Sequence, residues 1–358
     1  MKAAVVGGGI AGLMASWFLS RAGYRVYIYE QNPNLPTASR ISAGIIDLTL
    51  PPWILPLALE SLSIYRSYFR EAVRDAPIYW VSKLDSSCSD STYRELSKLQ
   101  LVKDEVGGPA KVDLGVDRSM AVGHGEVLRV IPSALVDTGD IYRAVLESER
   151  IELVEARASA ISCGEVYAGS SRSKFDLVVV SVGAWVAEIA GLEMLSGKFH
   201  IYSCDSISFK NGLVEAAVID DSTGFYLAER PGEILAGDGC CKPVERPEDG
   251  FSPDIDTIVD VAMKVEKRIP HLSHSSVTAF RSSPCLTAKD AAPVVGPIPG
   301  CSSNYAILGL DGIGVTLAPA LARMVTEAIE GRREIPRRLS SERQFNDVGG
   351  VLEPSSLC

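Results

Sequence analysis

The stretch VVGGGIAGLMASWFLSRAGYRVYIYE, residues 5 to 30, limits what this chain can fold into more tightly than any other segment. It reads as a buried strand over 3–7, a glycine turn, a helix over 10–22 and a second strand over 25–30 that closes on an acid. Each glycine of Gly7-x-Gly9-x-x-Gly12 has its own task. Gly7 permits the tight turn, Gly9 lets the backbone approach a pyrophosphate without a Cβ, and Gly12 lets the helix pack on the sheet. Ile10 and Ala11 open the helix, whose unpaired N–H groups favour phosphate charge. Glu30, with Gln31 behind it, can accept hydrogen bonds from a ribose 2′-OH and would repel a 2′-phosphate, which disfavours NADP. A dinucleotide site follows; NAD and FAD remain undivided on these residues alone.

At 358 residues the chain exceeds the usual size of one core, so two domains are expected. A net charge of −10 and a pI near 5.1 argue against a nucleic-acid surface. Arg332, Arg333, Arg337 and Arg338 cluster only near the end of the chain. No apolar run reaches the roughly 20 residues of a membrane span: Pro56 and Glu60 break the stretch from Trp53, and Glu188 ends the one from Leu177. Met1-Lys2 leads directly into the first strand, which reads as no secretory signal. The eight cysteines form no CxxC pair. They suit a reduced, cytoplasmic protein, membrane-peripheral at most, with a few disulfides expected only for a hyperthermophile. Cys240 and Cys241 read as strand-end packing, and His271 and His274 lack companions for a metal site, so no metal is expected.

Downstream, the pattern predicts a helix over 57–73, short strands and turns over 76–130, a helix over 133–149 and strands over 151–163. FDLVVVSVGAW (175–185) is a continuous buried strand of the kind found in parallel sheets. Antiparallel strands follow over 200–240, an amphipathic helix over 254–268, and a polar tail over 335–358. YAILGLDGIGVTLAPALARMVTEAI (305–329) repeats the strand, glycine turn and helix of the opening. Gly309, Gly312 and Gly314 let backbone come close to something flat or charged, and the helix N-terminus adds partial positive charge. A reduced flavin is negative along its N1–C2=O edge, so this second turn suits FAD; an NAD enzyme has no need of it.

Four blocks occur in order: the opening through Glu30; SRISAG (39–44) followed by LALESLSIY (57–65); FDLVVVSVGAW; and AFRSSPCLTAKDAAPVVGPIPG (279–300) with residues 305–329. Together they resemble the D-amino acid oxidase superfamily of flavoproteins, in particular its glycine oxidase, sarcosine oxidase and dye-linked proline dehydrogenase types. The resemblance covers residues 3 to about 330. It implies an α/β fold with a discontinuous Rossmann-like FAD-binding domain (1–75, 133–200 and 277–334) and an antiparallel-sheet substrate domain (76–132 and 201–276). It implies non-covalent FAD, with Arg40, Ser42, Ala43 and Gly44 along the pyrophosphate and flavin. Residues 154–158, Ala156 included, would pass by the adenine, and Gly183, Ala184 and Trp185 would close on the cofactor. Gly309 through Thr316 would contact the ring, with Asp311, Gly312, Ile313, Gly314 and Val315 between them.

The same resemblance implies oxidation of the C–N bond of a small amino acid or secondary amino acid (glycine, sarcosine, proline or a D-amino acid) by hydride transfer to the flavin. Arg281 falls at the position of the carboxylate-binding arginine, whose planar fork suits two oxygens. Arg230, at a hairpin turn, is a second candidate ligand. Tyr202 and Tyr226 could offer hydroxyls over the flavin, or simply pack the sheet. Covalent attachment would fall on Ser283 rather than Cys285. Relatives carry a basic residue at the position of Thr316, histidine at that of Ile313 or arginine at that of Gly312, and none is present here. The electron acceptor is therefore oxygen or a quinone or dye. Other readings are a 2-hydroxy acid or glycerol-3-phosphate type dehydrogenase, and the FAD-binding subunit of a heteromeric complex rather than a homo-oligomer.

Overall fold

The computed structural model describes residues 1–84, 86–115, 118–210, 216–239 and 242–345. Its first sheet runs Val294–Pro297, Asn304–Leu308, Leu177–Val180, Lys2–Val6, Arg25–Glu30, Ile151–Glu155 from edge to edge. All neighbours are parallel except the first pair. Leu177–Val180 is buried at every residue, as its unbroken apolar run predicts. The helices Ile10–Arg21 and Gly314–Ile329 lie against one another over this sheet, with Leu13, Met14, Leu317, Leu321 and Met324 in the shared core.

The last helix begins at Gly314, so Pro319 falls inside it. Proline has no N–H for the carbonyl one turn back. That carbonyl, Val315 O, accepts from Tyr65 Oη instead (3.0 Å), and the Ala320 N–H donates to Ser61 Oγ (3.1 Å). Burial pushes the Tyr65 phenol far above its ordinary range, so it stays a donor. The segment Asp311–Ile329 is long and apolar enough to cross a membrane by composition, but most of it is core.

The second sheet runs Lys242–Pro243, Phe199–Lys210, Glu233–Gly237, Phe225–Arg230, Ala217–Asp220, Val73–Lys83, Glu126–Val136, Asp104–Gly107, and Val277–Ala288 also pairs with Phe199–Lys210. It is antiparallel apart from Ala217–Asp220 on Val73–Lys83. One face carries the helix Ile255–Arg268. The other face shares a core with the last helix and the first sheet. Arg268, 3% exposed, fastens its helix to that sheet: Nη1 donates to Glu126 Oε2 (2.7 Å) and Ala121 O (2.7 Å), and Nη2 reaches Asp220. The guanidinium holds the Glu126 carboxyl below the ordinary carboxylate range.

Four expectations need correction. Residues 76–130 hold the expected short strands only over Asp104–Gly107, Ala110–Gly115 and Arg118–Val122; the rest is a helix, Ser87–Lys98, and parts of two long strands. The helix expected over 133–149 is the end of the strand Glu126–Val136 followed by Thr138–Leu146. Cys163 and Cys301 form a disulfide between the Ala158–Ser162/Glu165–Ala168 hairpin and the turn before Asn304–Leu308, where reduced thiols are the simpler expectation. The polar tail starts with a buried anchor: Leu339 is 2% exposed, and Arg343 donates to both oxygens of Asp290 (2.6 and 2.7 Å). Cys240 and Cys241 lie outside the described residues.

Candidate active site

The two glycine turns, more than 290 residues apart in sequence, open into one cleft between the sheets. Gly7, Gly9, Ile10 and Ala11 line one end with Glu30, Gln31 and Ser42. Gly309, Asp311, Gly312, Gly314 and Val315 line the other. Ala156, Gly183, Ala184 and Trp185 are also on its wall. Gly12 lies beneath, packed on Gly7.

At the opening turn, the Gly8 N–H donates to Glu30 Oε2 (2.8 Å) and the Asn32 N–H to Oε1 (3.0 Å). The carboxylate is thus fixed at the strand end, facing the cleft. The Ile10 N–H, at the start of the first helix, donates to Ser39 Oγ (2.9 Å). At the far turn Gly309 has φ +68°, and a Cβ there would lie 2.9 Å from the Phe199 ring and 3.2 Å from the Ala288 amide. A side chain cannot fit, and the backbone stays flush with the cleft wall. Burial raises the Asp311 carboxyl to about 6, against the pull of the Gly312 amide. A dinucleotide fits this frame: an anion end at the first helix, an acid placed for a ribose, and a flat glycine-lined wall. Replacing Glu30 by glutamine is expected to weaken FAD affinity about tenfold, the worth of one hydrogen bond to a charged group. Titration of apoprotein by flavin fluorescence measures it, and an unchanged affinity would remove Glu30 from the site.

The remaining expected residues lie off the cleft. Arg40 stacks on the Tyr142 ring (4.8 Å). Ala43 is buried, and the Gly44 carbonyl accepts from the Val136 N–H (2.8 Å). Thr316 Oγ1 donates to Ile45 O (3.2 Å) and accepts from the Asp47 N–H (2.9 Å), while Ile313 closes the turn at Leu310 O. Tyr202 is 4% exposed and pairs across the strands with Cys285; Tyr226 pairs with Gly237. Arg230 Nη2 donates to the Arg40 carbonyl (2.9 Å), tying the hairpin to the segment that follows the second strand, and burial lowers its pKa. Arg281 is held by Glu233 Oε2 (3.0 Å) and by Ser208 Oγ.

Sequence reasoning found only part of the roof: it weighed Ser283 and Cys285 as points of flavin attachment and missed Cys204, Pro284 and Leu286. Cys204, Ser283, Pro284, Cys285 and Leu286 line the cleft from the paired strands Phe199–Lys210 and Val277–Ala288. Ser181 and Ser39 were missed too. Ser181 Oγ donates to Val6 O (3.1 Å), and its backbone N–H bonds the same carbonyl. Only Ser39 had a local signal, as one of several small hydroxyl residues just before a conformational break.

Between the sheets, Asp221 Oδ2 accepts from Trp80 Nε1 (2.6 Å) and Ser89 Oγ (3.1 Å), with Asp47 nearby. Burial first, and then Asp47, raise its carboxyl from 3.8 to about 7. A carboxyl raised on folding stabilises the protein below its unfolded pKa, and that stability is lost as pH rises through the folded value. The loss here spans pH of about 4 to 7, at about 1.4 kcal/mol for each pH step crossed between the two values. Asp221→Asn keeps an acceptor for Trp80 and is expected to melt higher than the parent at pH near 8, with a flatter melting-temperature profile above pH of about 5. Thermal melts across pH check this; parallel profiles would contradict it.

The sequence profile of the DAO family, described as FAD dependent oxidoreductase, matches residues 2–328. Glycine oxidase of Pseudomonas aeruginosa is 24% identical over 364 aligned residues, covering 93% of this chain and 96% of that protein. Among solved structures, glycine oxidase from Geobacillus kaustophilus superposes with a TM-score of 0.80 at 17% identity, covering 96% of this chain and 99% of the other. L-proline dehydrogenase from P. horikoshii superposes with a TM-score of 0.77 at 18% identity, over 94% and 95% of the two chains.

Proposed function

We propose that this chain, which belongs to the DAO family of FAD-dependent oxidoreductases, oxidises the C–N bond of a small amino acid or secondary amino acid of the glycine, sarcosine or proline type. The observation that carries the reading is the placement of Arg281. Cys204 and Ser283 form a cross-strand pair on the cleft roof, and Arg281 and Ser206 form the next pair on the same face. The Arg281 backbone is thus one row, about 7 Å, from the lined cleft, and its guanidinium turns to Ser208 Oγ and Glu233 Oε2. Arg281 is only 30% exposed at its side chain, which suits an anchor better than a surface charge.

When bound, FAD supplies the two-electron acceptor for the hydrogen that leaves the substrate's α-carbon. The chain's own contribution is orientation. Arg281 holds the carboxylate, so that the amine-bearing carbon lies below it, toward Ser283 and Cys204. The sheet above and the last helix below exclude water from the reacting carbon. The Gly314 and Val315 backbone at the helix start meets the cleft wall, where the partial positive charge of the helix favours negative charge.

The residues at 312, 313 and 316 are Gly, Ile and Thr, and the Thr316 hydroxyl is committed to backbone. None of these three positions offers a side-chain cation, which favours a dye or quinone over oxygen as acceptor. Anaerobic mixing of the yellow holoprotein with amino acids and with 2-hydroxy acids tests the substrate. Bleaching by hydroxy acids alone would replace the amine reading. Return of colour as quickly in air as with an added dye would overturn the choice of acceptor.

A further inference from the structure

Arg281 already has a carboxylate. Its Nη2 donates to Glu233 Oε2 at 3.0 Å, and Glu233 Oε1 lies 3.8 Å from Arg230 Nη1. The pairing follows from the hairpin, because Arg230 and Glu233 flank the Pro231–Gly232 turn and are cross-strand partners. Beside this cluster, Ser206 faces Arg281 across one strand pair and Gly237 across the other. Ser206 is 2% exposed, and its Oγ has no hydrogen-bond partner among the described residues. A buried hydroxyl without a partner costs stability and calls for an explanation. Its neighbour Gly237 has no open space above it: a Cβ there would lie 2.4 Å from Tyr226 Oη, so the tyrosine covers the glycine and bounds the Ser206 position on that side.

Three charged groups are in contact here, two positive and one negative. Asp137, the other acid within electrostatic reach of Arg230, caps the helix Thr138–Leu146 through the Gly139 and Asp140 amides. The contacting cluster therefore has room for one further anion. A substrate carboxylate would take the open side of Arg281 and the Ser206 hydroxyl. A second carboxylate on the same substrate would meet the like charge of Glu233 in a partly buried setting.

We propose that Glu233 is the charge selector of this site. It limits the substrate to amino acids with one carboxylate, such as glycine, sarcosine or proline, and turns away dicarboxylates such as iminodiacetate, aspartate and glutamate. The inference rests on the reading that Arg281 receives the substrate carboxylate. Glu233 is a specificity residue and Ser206 a positioning residue; neither touches the reacting carbon.

The test uses the FAD-loaded full chain and two unreactive probes, acetate and malonate, each titrated against the visible spectrum of the bound flavin. The parent protein is expected to bind acetate at least about tenfold more tightly than malonate. E233Q is expected to tighten malonate binding about tenfold or more and to change acetate about threefold or less, which collapses or inverts the preference. S206A is expected to weaken both probes about five- to tenfold with their ratio unchanged. If E233Q releases its FAD, Glu233→Thr serves in its place. An acetate-to-malonate ratio that does not move in a variant that still binds acetate would overturn the selector while leaving the substrate reading intact. If neither probe perturbs the flavin of any variant and no amino acid bleaches it, both fall together.

Discussion

Replacing Gly12 by valine gives a protein that purifies without yellow colour. A Cβ on Gly12 would lie 1.9 Å from the Gly7 carbonyl oxygen and 2.7 Å from Ser181 Oγ. Neither contact can relax cheaply. The Gly7 backbone is fixed by φ +102° and by its N–H bond to Tyr29 O (2.9 Å), and a Cβ on Gly7 itself would lie 2.3 Å from Ser181 O. Ser181 is in turn bonded to Val6 O. The first helix can only move outward, and with it go the amides that receive the pyrophosphate. Overpacking of this kind costs about 1–3 kcal/mol of stability, occasionally more, and FAD affinity is expected to fall by at least about 10³-fold. Gly197→Ala is the control: a Cβ there meets nothing within 4 Å, and full flavin content is expected. Flavin-to-protein absorbance ratios decide the matter. A stoichiometrically yellow Gly12→Val protein would contradict the placement of the cofactor.

The second large effect belongs to Arg281. Arg281→Gln removes the charge, keeps hydrogen-bonding atoms near Glu233 and Ser208, and leaves the cofactor wall untouched, since Arg281 does not line it. kcat/KM for a carboxylate-bearing substrate is expected to fall about 10²–10³-fold, the range for removing one partner of a desolvated charge pair. Arg281→Lys should recover only part, because an ammonium cannot present a planar fork. FAD affinity should stay within about twofold of the parent. Loss of activity with an unchanged flavin spectrum and affinity supports the anchor. Unaltered kcat/KM would remove it, and joint loss of FAD would mean a structural role.

How far the sequence revealed this molecule depended on the range of each signal. The opening block was legible because strand, turn, helix and acid lie within one local unit, each with its own residue preference. The far glycine turn was legible for the same reason. The helix Ser87–Lys98 was not: its residues are mostly serine and charged, and among its described apolar side chains only Leu96 and Tyr93 reach the core, too few for a stripe. The long strands Val73–Lys83 and Glu126–Val136 looked broken because each contains a proline. Pro77 and Pro132 face each other in the ladder, so the two missing N–H groups fall at a single cross-strand pair.

The site divided along the same line. The cofactor wall follows from local glycine chemistry. The roof follows from the register of two strands about 80 residues apart, which no local pattern encodes. Ser206 beside Arg281, and Cys204 beside Ser283, are consequences of that register. The Glu233–Arg281 contact depends on a hairpin aligned with both strands. The Cys163–Cys301 pair likewise joins two turns whose proximity arises only when Leu177–Val180 and Asn304–Leu308 become neighbours.

Reduction of the bound flavin by substrate, in the absence of oxygen, tests the account most directly. The purified holoprotein is mixed with glycine, sarcosine, D-proline and L-proline, and separately with 2-hydroxy acids, while the visible flavin band is followed. At least one amino acid should bleach the band in the parent protein and fail to do so at comparable concentration in Arg281→Gln, with the hydroxy acids inert throughout. A band that stays unbleached with every amine, or bleaches equally well in the Arg281→Gln protein, would contradict it.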